Sequence, residues 1–318
     1  MRKYLLPEKG KFYKANLHCH STYSDGNWSP EEIKERYMKE GYSVVAYTDH
    51  NFFTSHNSLT DSDFVALNGI EYGVNNVEFG GVSDMKFRKN CDICMIALYP
   101  DVDKTYNQIN TDFIFRYTPE SVNELIEGGR KNNFFVTHNH PTWSREEYTD
   151  YINYNNMHAM EICNYGCVCS GFDEHNSKIY DDMLRKGKRL YCIATDDNHN
   201  KPGRTLDSFG GFTMIKSEKL EYTAITKALL NGSFYASEGP LIESLYYEDG
   251  KVYIKTSPAQ EIFITKPGKN VGKVREEGRL VDKGEFTVAD NDVYFYITVV
   301  GENGTKAYTN AYFLDEIL

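Results

Sequence analysis

Two histidines stand one residue apart near the start of the chain, in the stretch LHCHSTYSDG that runs from Leu17 to Gly26. On a β-strand, residues i and i+2 point to the same side, so His18 and His20 can bind one metal ion from a single rigid element. Imidazoles combined with carboxylates such as Asp25 favour manganese, zinc or iron over calcium. The spacing therefore predicts metal chemistry.

Metal-ligating residue types recur further along the chain, each time at the end of a short apolar run. These runs are VVAYTDH, VALNGIE, FFVTHNH and IATDDNH. In a parallel arrangement of β-α units, the carboxyl ends of the strands gather at one edge, so side chains that are distant in sequence converge there. The pattern predicts that one site gathers side chains from His18, His20, Asp25, Asp49, His50, Glu71, His140, Asp196, Asp197 and His199.

The elements that must position these residues follow an alternating pattern up to about Tyr235, which is typical of β-α units around a parallel sheet. The predicted strands are FYKANLH, SVVAYTD, FVALNGIE, DICMIAL, FFVTH, HAMEICN and LYCIATD. The predicted helices are SPEEIKERYMKEG, TPESVNELIEGG, SREEYTDYINYN and DEHNSKIYDDMLRKG. In the first of them Ser29 is the predicted N-cap, Pro30 the first helical residue and Gly41 the stop.

The texture changes after Tyr235 to short β-rich runs separated by EDGK, KPGK and GENGTK. Asp-Gly and Asn-Gly pairs suit tight hairpin turns, so this part predicts a small antiparallel β-sandwich. We expect two domains, residues 1–236 and residues 237–318.

The amino-acid composition limits which binding partners and which cellular compartment we expect. The formal charge of −11 argues against an extended nucleic-acid surface, and bound cations would offset this charge for an anionic substrate. The chain shows neither an apolar run of membrane-spanning length nor a secretory start, so we expect no membrane partner and a cytoplasmic location. Seven cysteines fit a reducing compartment, mostly as small core residues.

The remaining histidines and cysteines lack a motif that would give them a chemical role. His56, His158 and His175 are expected to be ordinary structural or surface residues. The segments CDIC and CNYGCVC have no spaced partner pair, so we interpret them as core cysteines and not as a zinc site.

The motifs LHCHSTYSDG, YTDHN, NGIE, HNHP and ATDDNH, in this order, resemble those of the PHP (polymerase and histidinol phosphatase-like) family of metal-dependent phosphoesterases. The resemblance covers roughly residues 12–235. It implies a distorted seven-stranded β/α barrel, TIM-like, holding two or three divalent ions. The C-terminal part, including NGSFYASEGP, resembles a sandwich that is appended to some barrels of this family.

The resemblance also implies how the ligands are shared. His18, His20, Glu71 and Asp197 would surround one ion, and Glu71 would bridge to a second ion that His140 helps to hold. The third ion would be held by Asp25, His50 and His199.

Two features depart from the family pattern. The strand NCDICMIAL lacks the histidine that members often carry there, and Cys91, Asp92 or His138 could replace it. Asp196 and Asp197 are adjacent, and we favour Asp197 because the usual Asp-any-His spacing of the family it resembles then ends at His199.

The chemistry that follows is hydrolysis of a phosphate mono- or diester of a small molecule or nucleotide by metal-activated hydroxide. Manganese, zinc or iron is expected, with magnesium as an alternative. His199 and His50 are candidate proton donors to the leaving group where they do not bind metal. Arg204 and Lys201 are either contacts to a phosphate oxygen or solvated loop cations.

Two other functions remain open on the sequence alone. A barrel stabilised by metal but weakened in catalysis would serve as a binding or scaffold module, and the absent central histidine keeps this alternative open. Metal-bound hydroxide also attacks carbonyl groups, so hydrolysis of a non-phosphate ester or amide is a third candidate. The sequence does not specify an oligomeric state.

Overall fold

The computed structural model describes residues 2–75, 89–101, 117–269, 271–289 and 291–318, which form a mixed α/β fold with two main β-sheets. The strands are β1 (Lys3–Tyr4), β2 (Lys11–Asn16), β3 (Tyr42–Tyr47), β4 (Val65–Asn75), β5 (Asn90–Ala97), β6 (Phe134–Asn139), β7 (Ala159–Asn164), β8 (Tyr191–Thr195), β9 (Phe212–Ser217), β10 (Phe234–Ser237), β11 (Ile242–Glu248), β12 (Lys251–Ala259), β13 (Glu261–Thr265), β14 (Gly272–Val274), β15 (Val281–Thr287), β16 (Tyr294–Val300), β17 (Lys306–Thr309) and β18 (Tyr312–Phe313). The helices are α1 (Pro30–Lys39), α2 (Pro119–Lys131), α3 (Tyr148–Tyr151), α4 (Tyr165–Cys169), α5 (Ser177–Arg185), α6 (Tyr222–Leu230) and α7 (Leu314–Ile317).

The large sheet contains two parallel groups of three strands, β2-β3-β4 and β6-β7-β8. Strand β5 lies between them and is antiparallel to both neighbours, which corrects the expectation of parallel strands throughout. A parallel pair of strands needs a crossover connection, usually a helix. The sequence between β4 and β5 contains no predicted helix. The first residues of β5 therefore lie at the edge where the neighbouring strands end.

A closed barrel is not confirmed, because the strand ladder ends at β8 and does not return to β9. Both edges of β9 are occupied, one by β2 and the other by β10. Side chains cover the outer edge of β8 instead: the Cys192 amide donates to Asn310 Oδ1 at 3.0 Å, and the Ala194 amide donates to Thr213 Oγ1 at 3.3 Å. In the described residues an open, curved sheet stands in place of the predicted seven-stranded barrel.

One face of this sheet surrounds a common apolar core. Helix α6 packs on the same core through Ile225 and Leu229. Alternate residues of a strand point to opposite faces, so the other face is free to meet the helices outside. The strands from β2 to β9 contribute to this core Ala15, Val44, Leu67, Ile96, Phe135, Ala159, Ile193 and Ile215.

Two helix predictions have different outcomes. Helix α1 begins as expected, with the Ser29 side chain capping the Glu32 amide and Pro30 at the first position. The helix expected over residues 144–155 is only the single turn α3. Arg145 adopts a left-handed backbone with a φ of 62°, so the helix cannot begin before the capping box at Glu147.

The C-terminal strands form two antiparallel layers around a second apolar core. One layer has the order β1-β11-β12-β15, and the other contains β14, β13, β16 and β17 and continues into β10 of the large sheet. The predicted Asp249-Gly250 turn joins β11 to β12, and both residues have the positive φ that a type I′ turn requires. None of the helices in the described part of the chain has the length and the apolar character needed to cross a membrane.

Candidate metal centre

The strand ends bring the predicted ligands together. His18 and His20 follow β2, and His50 follows β3. Glu71 lies within β4, where its backbone forms a bridge with that of His50. His140 follows β6, whereas Asp197 and His199 follow β8. His140 and Asp197 both have left-handed backbones, with φ of 27° and 50°, a conformation that is often associated with functional sites.

The inner part of the cluster consists of two carboxylates surrounded by histidines. Asp197 Oδ1 lies 3.2 Å from His18 Nε2 and 3.0 Å from His20 Nε2. Glu71 Oε1 lies 3.2 Å from His18 Nε2 and from His140 Nε2, and Glu71 Oε2 lies 3.2 Å from His20 Nε2. His18, His20 and Glu71 are at most 1% exposed. Glu71 therefore lies between the imidazoles of His18, His20 and His140.

The outer part of the cluster opens towards solvent. Asp25 Oδ1 lies 3.2 Å from His199 Nε2, 3.7 Å from His50 Nε2 and 4.0 Å from His20 Nδ1. His50 Nδ1 also lies 3.0 Å from Glu71 Oε2, which joins this group to the inner one. Four donor atoms, one from each of Asp25, His20, His50 and His199, lie within 4.8 Å of one another.

The two adjacent aspartates face different surroundings. Asp196 accepts hydrogen bonds from the amides of Phe209, Gly210 and Gly211 and from the Tyr37 hydroxyl. Its carboxylate is thus used to hold the loop before β9. Asp197 lies among the histidines, which favours Asp197 over Asp196 as the ligand.

The three residues that could replace the missing histidine also lie in different surroundings. Asp92, at the start of β5, lines the pocket with its Oδ2 3.8 Å from His140 Nδ1. Cys91 points to the opposite face of β5, where it lies with His138 and Glu146. His138 Nε2 bonds Glu146 Oε2 at 2.8 Å. Of the three, the structure brings only Asp92 next to His140.

Glu161 in β7 supports the cluster and was not expected from the sequence. Its carboxylate accepts from His18 Nδ1 at 2.8 Å, from the His140 amide at 2.8 Å and from Thr195 Oγ1 at 2.6 Å. A carboxylate on the second ring nitrogen fixes the tautomer of a metal-binding histidine. The only sequence signal was a glutamate inside the buried apolar strand AMEICN.

Two more buried carboxylates hold the loops of the site. Asp49 accepts from the amide and hydroxyl of Ser21 and from the hydroxyl of Ser24, so it fixes the loop after His20 and is not itself in the cluster. Glu174 accepts from the amides of Thr142 and Trp143, which belong to the loop after His140.

The carboxylates control the protonation of the histidines. Burial lowers the pKa of His50, but Glu71 and Asp25 outweigh it and raise the pKa to about 9. Burial lowers the pKa of His140 as well, and Glu71, Asp197 and Asp92 raise it to about 10. In return, despite burial, neighbouring histidines hold the pKa of Glu71 and of Asp197 well below the usual range.

Two buried carboxylate oxygens indicate whether the cluster is suited to metal ions. Glu71 Oε2 and Asp197 Oδ1 have no hydrogen-bond partner among the described residues, although both face histidine nitrogens. Leaving a buried acceptor unpaired is costly, and a coordinated cation would satisfy it. The donor set of imidazoles and carboxylates suits manganese, zinc or iron. The residues present therefore fit divalent ions.

A pocket of about 600 Å³ opens over the cluster. Trp143 lies on one side, with its ring 5.0 Å from that of His140, centroid to centroid. Lys201 and Arg204 lie on the loop after His199 and line the same pocket, but Lys201 Nζ pairs with Asp25 Oδ2 at 3.0 Å. Among the described residues, Arg204 forms no ion pair, so its guanidinium is available to a ligand.

Comparisons with known proteins give one local sequence match, and no family model matches the chain. The DNA polymerase/3'-5' exonuclease PolX of Bacillus subtilis (strain 168) is 50% identical over 38 residues, which are 12% of this chain. The match spans only 7% of the length of that polymerase.

Solved structures show a distant likeness. A two-domain protein from Bacteroides vulgatus ATCC 8482, containing a predicted PHP-like metal-dependent phosphoesterase, is 14% identical, with 98% of each chain covered and a TM-score of 0.49. A proposed metal-dependent phosphoesterase from Bifidobacterium adolescentis ATCC 15703 is also 14% identical, covering 64% of this chain and 92% of its own, with a TM-score of 0.40. The local match to this polymerase, over 38 residues, supports the resemblance of this chain to the PHP family.

Proposed function

We propose that the protein is a metal-dependent phosphoesterase that hydrolyses a phosphate mono- or diester of a small molecule or nucleotide. The observation that carries this proposal is a pair of buried carboxylate oxygens, Glu71 Oε2 and Asp197 Oδ1, that have no hydrogen-bond partner among the described residues and face imidazole nitrogens of His18 or His20. Such a donor set has a clear use in holding divalent ions, and little use in stabilising an ordinary core.

The ligands divide into three groups in this proposal, of which the first two share Glu71. The first comprises His18, His20, Glu71 and Asp197. His140 and Asp92, together with Glu71, form the second, and Asp25, His50 and His199 form the third. Manganese, zinc, iron or magnesium held there would supply hydroxide near neutral pH and would offset the charge that develops on the phosphate.

The side chains of the protein perform the other tasks. Glu161 holds the His18 ring and the His140 backbone in place through its hydrogen bonds. Arg204 contacts a phosphate oxygen from the rim of the pocket, as a charge-assisted hydrogen bond allows. His50 and His199 line the same pocket, so either can pass a proton to the leaving alkoxide when it does not hold an ion.

The substrate is a small phosphorylated molecule in this proposal. A volume of about 600 Å³ is typical of pockets for small ligands. The acidic chain, with a formal charge of −11, disfavours long nucleic acids as partners.

The test is phosphate release from a panel of phosphomonoesters and phosphodiesters by protein loaded with manganese, zinc or iron. We expect release with at least one substrate, and its loss in the double variant His18→Ala/His20→Ala. His56→Phe is the matched control, because His56 is also buried, stacks on Tyr47 and lies outside the cluster.

Two outcomes would replace the proposal. Bound metal without hydrolysis of any substrate would favour the scaffold function. Hydrolysis of carboxylic esters or amides, but not of phosphoesters, would assign the same metals to carbonyl chemistry.

A further inference from the structure

A second cluster of metal-binding residue types lies apart from the candidate metal centre. It contains Cys163 at the end of β7, His175 in the loop before α5 and Glu238 directly after β10. One donor atom from each lies within 4.8 Å of the other two. His175 Nε2 is 2.9 Å from Glu238 Oε1.

The backbone fixes this meeting of three separate elements. Cys163 and His175 stand opposite each other in an isolated antiparallel bridge, and the Asn176 amide donates to the Ile162 carbonyl at 2.8 Å beside it. Side chains of directly opposed residues in an antiparallel pair are close neighbours. The Glu238 amide donates to the Lys306 carbonyl at 2.9 Å, which anchors the third member.

Two further observations point to a bound cation. Glu238 Oε2 is buried without a hydrogen-bond partner among the described residues, and the side chain of Glu238 is only 10% exposed. His175 Nδ1 lies 3.3 Å from Asp173 Oδ1. A carboxylate at the second nitrogen is the usual arrangement for a histidine that binds zinc through its first nitrogen.

A similar trio, formed by Cys91, His138 and Glu146, lacks, within the described part of the chain, both of the features that point to a cation. There His138 Nε2 and the Tyr154 hydroxyl bond the two carboxylate oxygens of Glu146, at 2.8 and 3.4 Å. His138 Nδ1 has no partner in the described residues that would orient it. This trio is explained as a hydrogen-bonded network inside the core, and it serves as the control.

We propose that Cys163, His175 and Glu238 bind a zinc ion. Thiolate, imidazole and carboxylate are the three ligand types that zinc takes in proteins, and three protein ligands leave a fourth position for water. The side chain of His175 is 30% exposed, so the site is accessible to the ion from solvent.

The ion would connect parts of the molecule that matter for the candidate metal centre. It joins β7, which carries Glu161, to the end of β10. It also fixes the loop that carries Glu174, whose carboxylate holds the amides of Thr142 and Trp143 at the pocket wall. We therefore assign this zinc a structural role that does not depend on phosphoester hydrolysis.

Cobalt substitution tests the proposal, because the candidate metal centre offers no thiolate among the ligands assigned to it. Protein reconstituted with Co²⁺ should show a near-ultraviolet thiolate-to-cobalt charge-transfer band. Cys163→Ser should abolish the band and lower the bound cobalt by about one ion per chain. Cys91→Ser, in the control trio, should leave both unchanged.

Glu238→Gln provides a second variant of nearly the same shape, should Cys163→Ser fail to fold. We expect this variant to bind the cobalt ion that gives the band at least about tenfold more weakly. No band in the wild type, or a band that is kept in Cys163→Ser, would overturn the proposal. Either result is separate from phosphate release, so this proposal and the proposed function can fail independently.

Discussion

At the scale of single residues, Asp196 and Asp197 are adjacent in the chain and have different tasks. The Asp196 carboxylate accepts hydrogen bonds from three backbone amides and one hydroxyl. Burial raises the pKa of Asp196 to about 6, although those hydrogen bonds lower it. Asp197 lies among the histidines of the cluster. The first holds the fold, whereas the second is placed to hold an ion.

Isosteric variants should separate these two tasks. In Asp196→Asn an amide group replaces an acceptor that faces the Phe209 amide and the Tyr37 hydroxyl, so we expect a loss of about 1–3 kcal/mol in the free energy of unfolding, with bound metal unchanged. In Asp197→Asn we expect the metal affinity to fall more than about a hundredfold. Chemical denaturation and metal analysis measure the two effects. Equal metal loss in both variants would contradict the distinction.

The raised pKa values of His50 and His140 predict that metal binding releases protons. Both imidazoles are protonated at pH 7 in the metal-free protein, because their pKa values are about 9 and about 10. A metal ion needs the neutral ring, so the affinity of an ion that uses one of them should rise about tenfold per pH unit up to the pKa.

Calorimetric titrations at pH 7 in buffers with different heats of protonation count these protons. His56→Phe should leave the count unchanged, because burial lowers the pKa of His56 to about 4 and its ring is already neutral. Binding at pH 7 without net proton release would contradict the protonation assigned here.

The sequence singles out the candidate ligands more readily than the residues that support them. His18, His20 and His199 stand in recognisable motifs because metal chemistry restricts both residue type and spacing. Glu161 and Glu174 do not stand in motifs, since a supporting carboxylate needs only the right position in space. Their role becomes visible when β7 and the loop before α5 are placed beside β6.

At the scale of elements, the direction of β5 decides which residue faces the second ion group. The apolar run NCDICMIA predicts a strand, but strand direction depends on the partners and is not encoded in the run itself. Because β5 is antiparallel to β4 and β6, Asp92 lies between Gly73 and Asn139 at the edge that carries the site.

Neighbouring residues of β5 provide a test of this placement. Asp92→Asn should weaken one of the bound ions at least about tenfold, because a carboxylate beside His140 is lost. Cys91→Ser is the control, because this side chain points to the other face of the same strand. Stepwise metal titration followed by mass spectrometry distinguishes them. An unchanged titration for Asp92→Asn would remove Asp92 from the ligand set.

At the scale of the whole molecule, the predicted division at residues 236/237 is crossed by two strand ladders. Strand β10 pairs with both β9 and β17, and β1 at the start of the chain pairs with β11. Tyr308 and Phe313 from the C-terminal strands also belong to the core that β5, β6 and β7 share. The change of sequence texture near Tyr235 does not show this continuity, because pairing partners far apart in sequence leave no local pattern.

We therefore expect the full chain to unfold in a single cooperative transition. The fragment 1–236 loses the partner of β10 and exposes apolar core surface, so it should fail to form a stable soluble fold. Differential scanning calorimetry of the full chain and of the fragment measures both. Two separate transitions, or a fragment with its own sharp transition, would show that the parts fold independently.

We propose that the buried histidines and carboxylates bind divalent ions for the hydrolysis of a phosphoester. The most direct test of this claim is a titration of the metal-free protein with Mn²⁺ in which bound metal and phosphate release are measured together on the best substrate of the panel. We predict that release is absent without metal and reaches its maximum at about two to three ions per chain bound at the cluster. Release that does not depend on added metal, or a folded protein that binds no ion at this cluster, would contradict the claim.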